Sequence, residues 1–134
     1  MTTTNHDVSI LVVDDDDSLR RTLALILKHK GYPIETAADG AEAVARVREC
    51  PFDMILMDIR MPVLNGVQAL KQIMAIRPQA VVAMMTAYAL EDLIQDALAE
   101  GAFALLTKPV EIEQVMDLIE QARQARQGKI VLTR

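Results

Sequence analysis

Apolar residues fall along this chain in short, nearly continuous runs separated by stretches with helical spacing. The runs cover residues 8–13, 54–57, 80–85 and 103–106. Apolarity without alternation over so short a span is the pattern of a strand covered on both faces, because both sides of its pleat meet the core. After the first run, Leu19, Leu23, Ile26 and Leu27 keep one helical face, and Lys28-His29-Lys30-Gly31 supplies the cations and the glycine of a helix C-terminus. The stretch "YPIETAADG" is polar at Glu35 and carries Pro33 near its start, which predicts an edge strand. Residues 41–49 predict a second helix closed by Pro51, and Val67, Leu70, Ile73 and Met74 a third that ends before Pro78. Leu90, Leu93, Ile94, Ala97 and Leu98 predict a fourth helix ending at Gly101; Ile112, Val115, Met116, Ile119 and Ala122 predict a fifth.

Strands alternating with helices throughout imply an α/β fold with a parallel sheet covered on both faces, since each crossover returns the chain to the same edge. Residues 1–127 are accounted for as one domain. The remaining 128–134, "GKIVLTR", have nothing left to pair with and are expected to be a tail or the start of a linker to a further module. There is no internal repeat and no low-complexity segment.

In a parallel sheet the carboxyl ends of all strands share one edge, and ligands bind there. The residues that follow each run are therefore the candidates. The first run ends in Asp14 and Asp15, the third predicted strand in Asp58, the fourth in Thr86 and the fifth in Lys108. Each has a bland reading by itself: Asp16, Asp17 and Ser18 suit a solvated helix start, Thr86 a cap, and Lys108 a surface position before Pro109. Together they place three carboxylates, a hydroxyl and an ammonium on one edge. Asp14, Asp15 and Asp58 with Lys108 leave a charge of about −2, which a hard divalent cation with oxygen ligands would cancel. Mg²⁺ suits such a site, and it suits the handling of a phosphoryl group.

Composition narrows the function classes. The chain has 134 residues, 51% of them hydrophobic, enough for one domain with a sizeable core. A net charge of −5 and a pI near 5.0 argue against a nucleic-acid surface. Cys50 is the only cysteine, so neither an intrachain disulfide nor a Cys-rich zinc site can form, in keeping with a reducing compartment. "MTTTNHD" lacks the layout of a signal peptide, and the richest apolar window, residues 80–90, is too short to span a bilayer. A soluble, cytoplasmic protein without membrane or nucleic-acid partners is expected.

With these residues in place the chain resembles the receiver domain of bacterial two-component response regulators, over residues 8 to about 124. The motifs that carry the resemblance are "ILVVDDD", "DMILMDIRMPVLNG", "MMTAY" and "LLTKPV". It implies a flavodoxin-like doubly wound sheet of five strands in the order 2-1-3-4-5, for which receivers are themselves a known instance, with five helices. It also implies that Asp58 accepts a phosphoryl group from a histidine kinase or a phosphotransfer protein. Asp15, Asp58 and the backbone carbonyl of Arg60 would bind Mg²⁺, and Asp14 would hold a metal-bound water. Thr86, the Ala87 N–H and Lys108 would contact phosphoryl oxygens, Pro62 and Gly66 would shape the loop beside the acceptor, and the Lys108–Pro109 peptide would be cis. The domain would be a phosphoacceptor with slow self-dephosphorylation, not an enzyme, with an output or partner protein left open. The resemblance leaves room for a weak dimer. The fourth helix carries Glu91, Asp92, Asp96 and Glu100 without Lys or Arg, so basic residues there cannot stitch one.

One position departs from the family. Three residues before the lysine, receivers commonly place Tyr or Phe, whose ring turns inward when the threonine moves; here that residue is Leu105, and neither Phe103 nor Tyr88 occupies the slot. Three rival readings share the architecture. A haloacid dehalogenase-like phosphatase would use Asp14 and Asp16 in "DDDDS", but the chain has no room for a cap domain. A flavodoxin-like cofactor binder needs a Gly, Ser or Thr-rich loop after the first strand, where this chain has carboxylates. A non-phosphorylated interaction scaffold would keep only the fold.

Overall fold

The computed structural model of this chain describes residues 8–87 and 91–126. The N-terminal "MTTTNHD", Tyr88, the expected helix residue Leu90 and the tail 128–134 lie outside the described residues. Five strands alternate with five helices: β1 Ile10–Val13, α1 Asp17–His29, β2 Ile34–Ala37, α2 Gly40–Glu49, β3 Met54–Asp58, α3 Gly66–Ile76, β4 Val82–Thr86, α4 Glu91–Ala99, β5 Ala104–Thr107 and α5 Ile112–Arg126. The strands form one parallel sheet in the order β2-β1-β3-β4-β5. This is the doubly wound arrangement expected from the sequence.

The near-continuous apolar runs have a direct cause in this architecture. Alternate residues of the inner strands enter two separate cores. Leu11, Val13, Ile55, Met57, Val82 and Met84 pack with Ala43, Val47, Ala69, Leu70, Ile73 and Ala97 from α2, α3 and α4. Ile10, Val12, Met54, Leu56, Ala83 and Met85 pack on the other face with Leu27, Val115, Leu118 and Ile119 from α1 and α5. Every residue of β1, β3 and β4 is buried, whereas β2 at the sheet edge is half-open, as its polarity predicted.

Burial departs from the expected pattern in three places. The run 103–106 was expected to be covered on both faces, but β5 is the other edge strand, and Phe103, Ala104 and Leu105 are only partly buried. An edge strand has one neighbour, so its outer side stays open whatever its composition. On α1 the expected apolar stripe is split: Ala24 and Leu27 enter the core, whereas Leu19 and Ile26 stay 47% and 39% exposed. Leu98 on α4 is also exposed, although Ala97 beside it is buried.

The helices begin on side-chain caps at the carboxyl edge of the sheet. Asp16 caps α1 by accepting the N–H of Leu19, and Asp39 caps α2 by accepting that of Glu42. Asn65 and Gln68 satisfy each other's backbone N–H groups at the start of α3. The acidic run thus divides by function: Asp16 and Asp17 serve the exposed first turn of α1, and the two residues before them face the sheet edge.

Candidate functional site

Asp14 follows β1, Asp58 ends β3, Thr86 ends β4 and Lys108 follows β5, so the topology delivers four of the candidates to one edge. One carboxylate oxygen from each of Asp14, Asp15 and Asp58 lies within 4.8 Å of the others. Asp14 and Asp58 are buried, whereas Asp15 is exposed at the mouth. Lys108 Nζ donates to Asp14 Oδ2 at 2.9 Å and stands 3.3 Å from Asp58 Oδ2. The ammonium therefore sits between two of the three carboxylates. The Lys108–Pro109 peptide is cis, as expected.

Backbone groups fix the cluster in place. Asp14 Oδ1 accepts the N–H of Asp16 at 2.9 Å, and the Lys108 N–H donates to the Thr86 carbonyl at 2.8 Å. The Arg60 N–H donates to Asp58 Oδ1 at 3.3 Å, while the Ile59 N–H donates to the Met85 carbonyl at 2.8 Å. Gly66 closes the loop that follows β3 by donating its N–H to the Ile59 carbonyl at 2.9 Å. A Cβ at Gly66 would run into the Asp58 carbonyl oxygen and the Ile59 Cα, so only glycine lets α3 begin so close to the end of β3. The loop role expected of Gly66 has this steric origin.

The electrostatics follow from burial. Desolvation pushes the Asp58 carboxyl above its ordinary pKa; the Asp14 charge adds to that, and the Lys108 ammonium only partly opposes it. Burial by itself would lower the Lys108 ammonium, but the hydrogen bond to Asp14 and the charges of Asp58 and Asp14 outweigh it and leave it raised. One cation among three carboxylates leaves the cluster under-neutralised. The donor set is all oxygen, two carboxylates are too buried for water to screen, and the excess charge matches a divalent ion; these residues fit Mg²⁺.

Thr86 is buried beside Asp58's neighbour Met85, and Ala87 is exposed directly after it at the same edge. Asp14, Asp15, Asp58 and Lys108 are thus brought into one cluster, with Thr86 and Ala87 at the same edge of the sheet. One contributor escaped the sequence reading: Arg20, whose guanidinium donates to the Asp14 carbonyl at 2.7 Å and pairs with Asp17. The Asp17–Arg20 spacing on α1 was the available signal for the pair, but nothing local announces the contact to Asp14. Beyond Asp15 the cleft continues along Ile59, Arg60, Met61, Pro62, Asn65 and Leu93.

The phosphatase pairing of Asp14 with Asp16 is not assembled here. The Asp16 carboxylate is committed to the cap of α1 and is exposed, whereas Asp14 points to Lys108. Among the described residues, no helix is long and apolar enough to cross a membrane.

Comparison with known proteins agrees with this geometry. Residues 10–120 match the family described as the response regulator receiver domain. The chain is 38% identical over 119 residues to the transcriptional regulatory protein ZraR of Escherichia coli K12, covering 89% of this chain and 27% of that regulator. It therefore spans about a quarter of the length of that relative. Among solved structures it resembles a CheY-like receiver domain protein of Methanospirillum hungatei, with a TM-score of 0.82 and 30% identity over 88% of this chain and 98% of that one. The receiver domain of a sensor histidine kinase of Pseudomonas aeruginosa, solved with a magnesium ion in its active-site cleft, matches with a TM-score of 0.78 and 30% identity, covering 84% and 94%. The receiver domain of Saccharomyces cerevisiae Ssk1, solved with the phosphotransfer protein Ypd1, matches with a TM-score of 0.80 and 26% identity, covering 90% of each chain. Sheet order, the acidic cluster with its lysine, and a family match over most of the chain lead to one conclusion: this chain belongs to the response regulator receiver domain family, whose function is to accept a phosphoryl group in two-component signalling.

Proposed function

We propose that Asp58 is the phosphoacceptor of this receiver and takes the phosphoryl group of a phosphohistidine on a histidine kinase or phosphotransfer protein. The observation that carries this reading is the convergence of Asp58 with Asp14, Asp15 and Lys108 at the carboxyl edge of the sheet, with Asp58 buried at the end of a central strand. A carboxylate oxygen of Asp58 attacks phosphorus, the P–O bond forms as the P–N bond breaks, and the imidazole leaves with the electron pair. The protein's part is positioning and charge neutralisation of the equatorial oxygens.

Asp15, Asp58 and the Arg60 carbonyl would hold Mg²⁺, with Asp14 orienting a bound water. The metal supplies positive charge against the phosphoryl oxygens. Lys108 pairs with one of those oxygens, Thr86 donates its hydroxyl to another, and the Ala87 N–H donates to a third. Asp14 holds the Lys108 ammonium at the site in the meantime. The domain occupies residues 1–127, works in the cytoplasm as a stoichiometric acceptor instead of a turnover enzyme, and hands its changed surface to an output or partner protein.

The test is to incubate the chain with a small phosphodonor and Mg²⁺ and to map the adduct by mass spectrometry. One phosphoryl group on Asp58, lost in Asp58→Asn, is expected. An adduct on Asp14, or undiminished labelling of Asp58→Asn, would overturn the reading in favour of a phosphatase-like mechanism.

A further inference from the structure

The loop between β3 and α3 carries Arg60, and it is pressed from below by a helix with no other part in the site. Gly40, the first residue of α2, is buried against this loop. A Cβ there would lie 2.6 Å from the Leu64 carbonyl oxygen and 3.2 Å from the Ala69 Cβ. The nearer of these is backbone, which cannot turn aside as a flexible side chain can. Asp39 anchors the start of α2 through its cap to Glu42, and the Glu42 carboxylate accepts the Ala38 N–H at 2.8 Å. The helix start is therefore held firmly where it meets Leu64.

The loop has little freedom to yield. The Leu64 N–H donates to the Pro62 carbonyl at 2.8 Å around Val63, whose φ is +68°. That is a γ-turn, a strained conformation, and a β-branched residue at positive φ strains it further. Val63 itself is fully exposed, so no packing of its side chain explains the conformation. At its far end the loop is closed by the Gly66 N–H on the Ile59 carbonyl. The segment from Arg60 to Leu64 is thus a short arch, pinned at Ile59–Gly66 and supported under Leu64.

We propose that Gly40 is a positioning residue for phosphoryl acceptance: its missing side chain sets the height of the Leu64 carbonyl, and the stiff turn at Val63 passes that height to Arg60. The proposal rests on the reading of Asp58 and Arg60 as parts of the Mg²⁺-dependent acceptor site. A methyl group at position 40 lifts the arch, displaces the Arg60 carbonyl and weakens divalent-cation binding, although Gly40 touches neither metal nor phosphoryl group. Displacing a group that orients a metal ligand typically weakens metal binding by about tenfold or more.

The test titrates Mg²⁺ into the full chain by backbone amide shifts, for wild type, Gly40→Ala, Val44→Ala and Gly40→Ala/Val63→Gly. Gly40→Ala is expected to shift the Ile59, Arg60 and Met61 amides before metal is added and to raise half-saturation by about tenfold. Val44→Ala removes buried volume one turn further along the same helix without adding bulk under Leu64, and should leave half-saturation unchanged. Adding Val63→Gly lets the turn absorb the displacement, so the double variant should return towards wild type. Unchanged half-saturation in a folded Gly40→Ala, or an equal rise in Val44→Ala, overturns the proposal. If Gly40→Ala does not fold, recovery of the folded state by Val63→Gly supports the pin, and no recovery overturns it. Wild type that binds no Mg²⁺ would overturn the metal-site reading itself and this proposal with it.

Discussion

Lys108 and Asp14 meet at 2.9 Å although 94 residues separate them, and the ammonium that joins them also stands 3.3 Å from Asp58. The pair is the electrostatic hinge of the site. It leaves Asp14 compensated, Asp58 only partly so, and the exposed Asp15 at the mouth.

Removing that ammonium separates two roles. In Lys108→Met, Asp14 and Asp58 face each other without a cation, so the metal-free chain should lose about 1 to 3 kcal/mol of stability. Mg²⁺ should bind more tightly, because it no longer competes with the ammonium, while phosphorylation at Asp58 should slow. Chemical denaturation in chelator, Mg²⁺ titration and labelling kinetics check the three outcomes. Looser Mg²⁺ binding would contradict this account of the cluster's charge.

The raised pKa of Asp58 carries a pH signature. A carboxyl whose folded pKa lies above its ordinary value of 3.8 favours the folded state while protonated, and that contribution is lost as pH rises through the folded pKa. At neutral pH the ionised Asp58 therefore works against folding in the metal-free chain. Asp58→Asn should raise the melting temperature near neutral pH and have little effect below pH 3.8. Thermal melts in chelator at the two pH values decide; an equal gain at both would place the cause outside titration.

Gly66 has no room for a side chain. A methyl at this position must push apart the end of β3 and the start of α3, where the Asp58 carbonyl and Ile59 Cα lie within contact distance. Gly66→Ala should cost about 3 kcal/mol, the upper end for overpacking. Denaturant midpoints measure it, and a loss of only a few tenths would show that the loop can yield there.

Leu105 predicts a muted switch. Its side chain is half-buried and packs on the α2, α3 and α4 side of the sheet, paired in register with Met84. It has neither a ring to swing nor a hydroxyl to engage a partner. With a stable phosphoryl mimic, amide shifts should be large near Thr86 and Ala87, and smaller across α5 than in Leu105→Tyr. Large shifts across α5 in wild type, unaltered by the tyrosine, would show that position 105 does not limit the switch.

Element type and order were legible in the sequence because burial imposes a period that local residues must obey. Alternate residues of β1, β3 and β4 feed two cores, so those strands had to be apolar at every position before the carboxyl edge, and Glu35 and Pro33 marked β2 as an edge. The carboxyl-edge rule then placed Asp14, Asp58, Thr86 and Lys108 together from the sequence pattern. What local pattern could not carry was which neighbour each residue meets. β5 is as apolar as an inner strand but has one partner, and Leu19 and Ile26 share a stripe with Leu27 but not its burial. The bridging position of Lys108, the Arg20 contact to the Asp14 carbonyl, and the seat of Gly40 under Leu64 all join segments far apart or on different elements. Spacing along the chain is set by local periodicity, whereas these distances are set by how the sheet and its helices pack, and only the tertiary structure decides them.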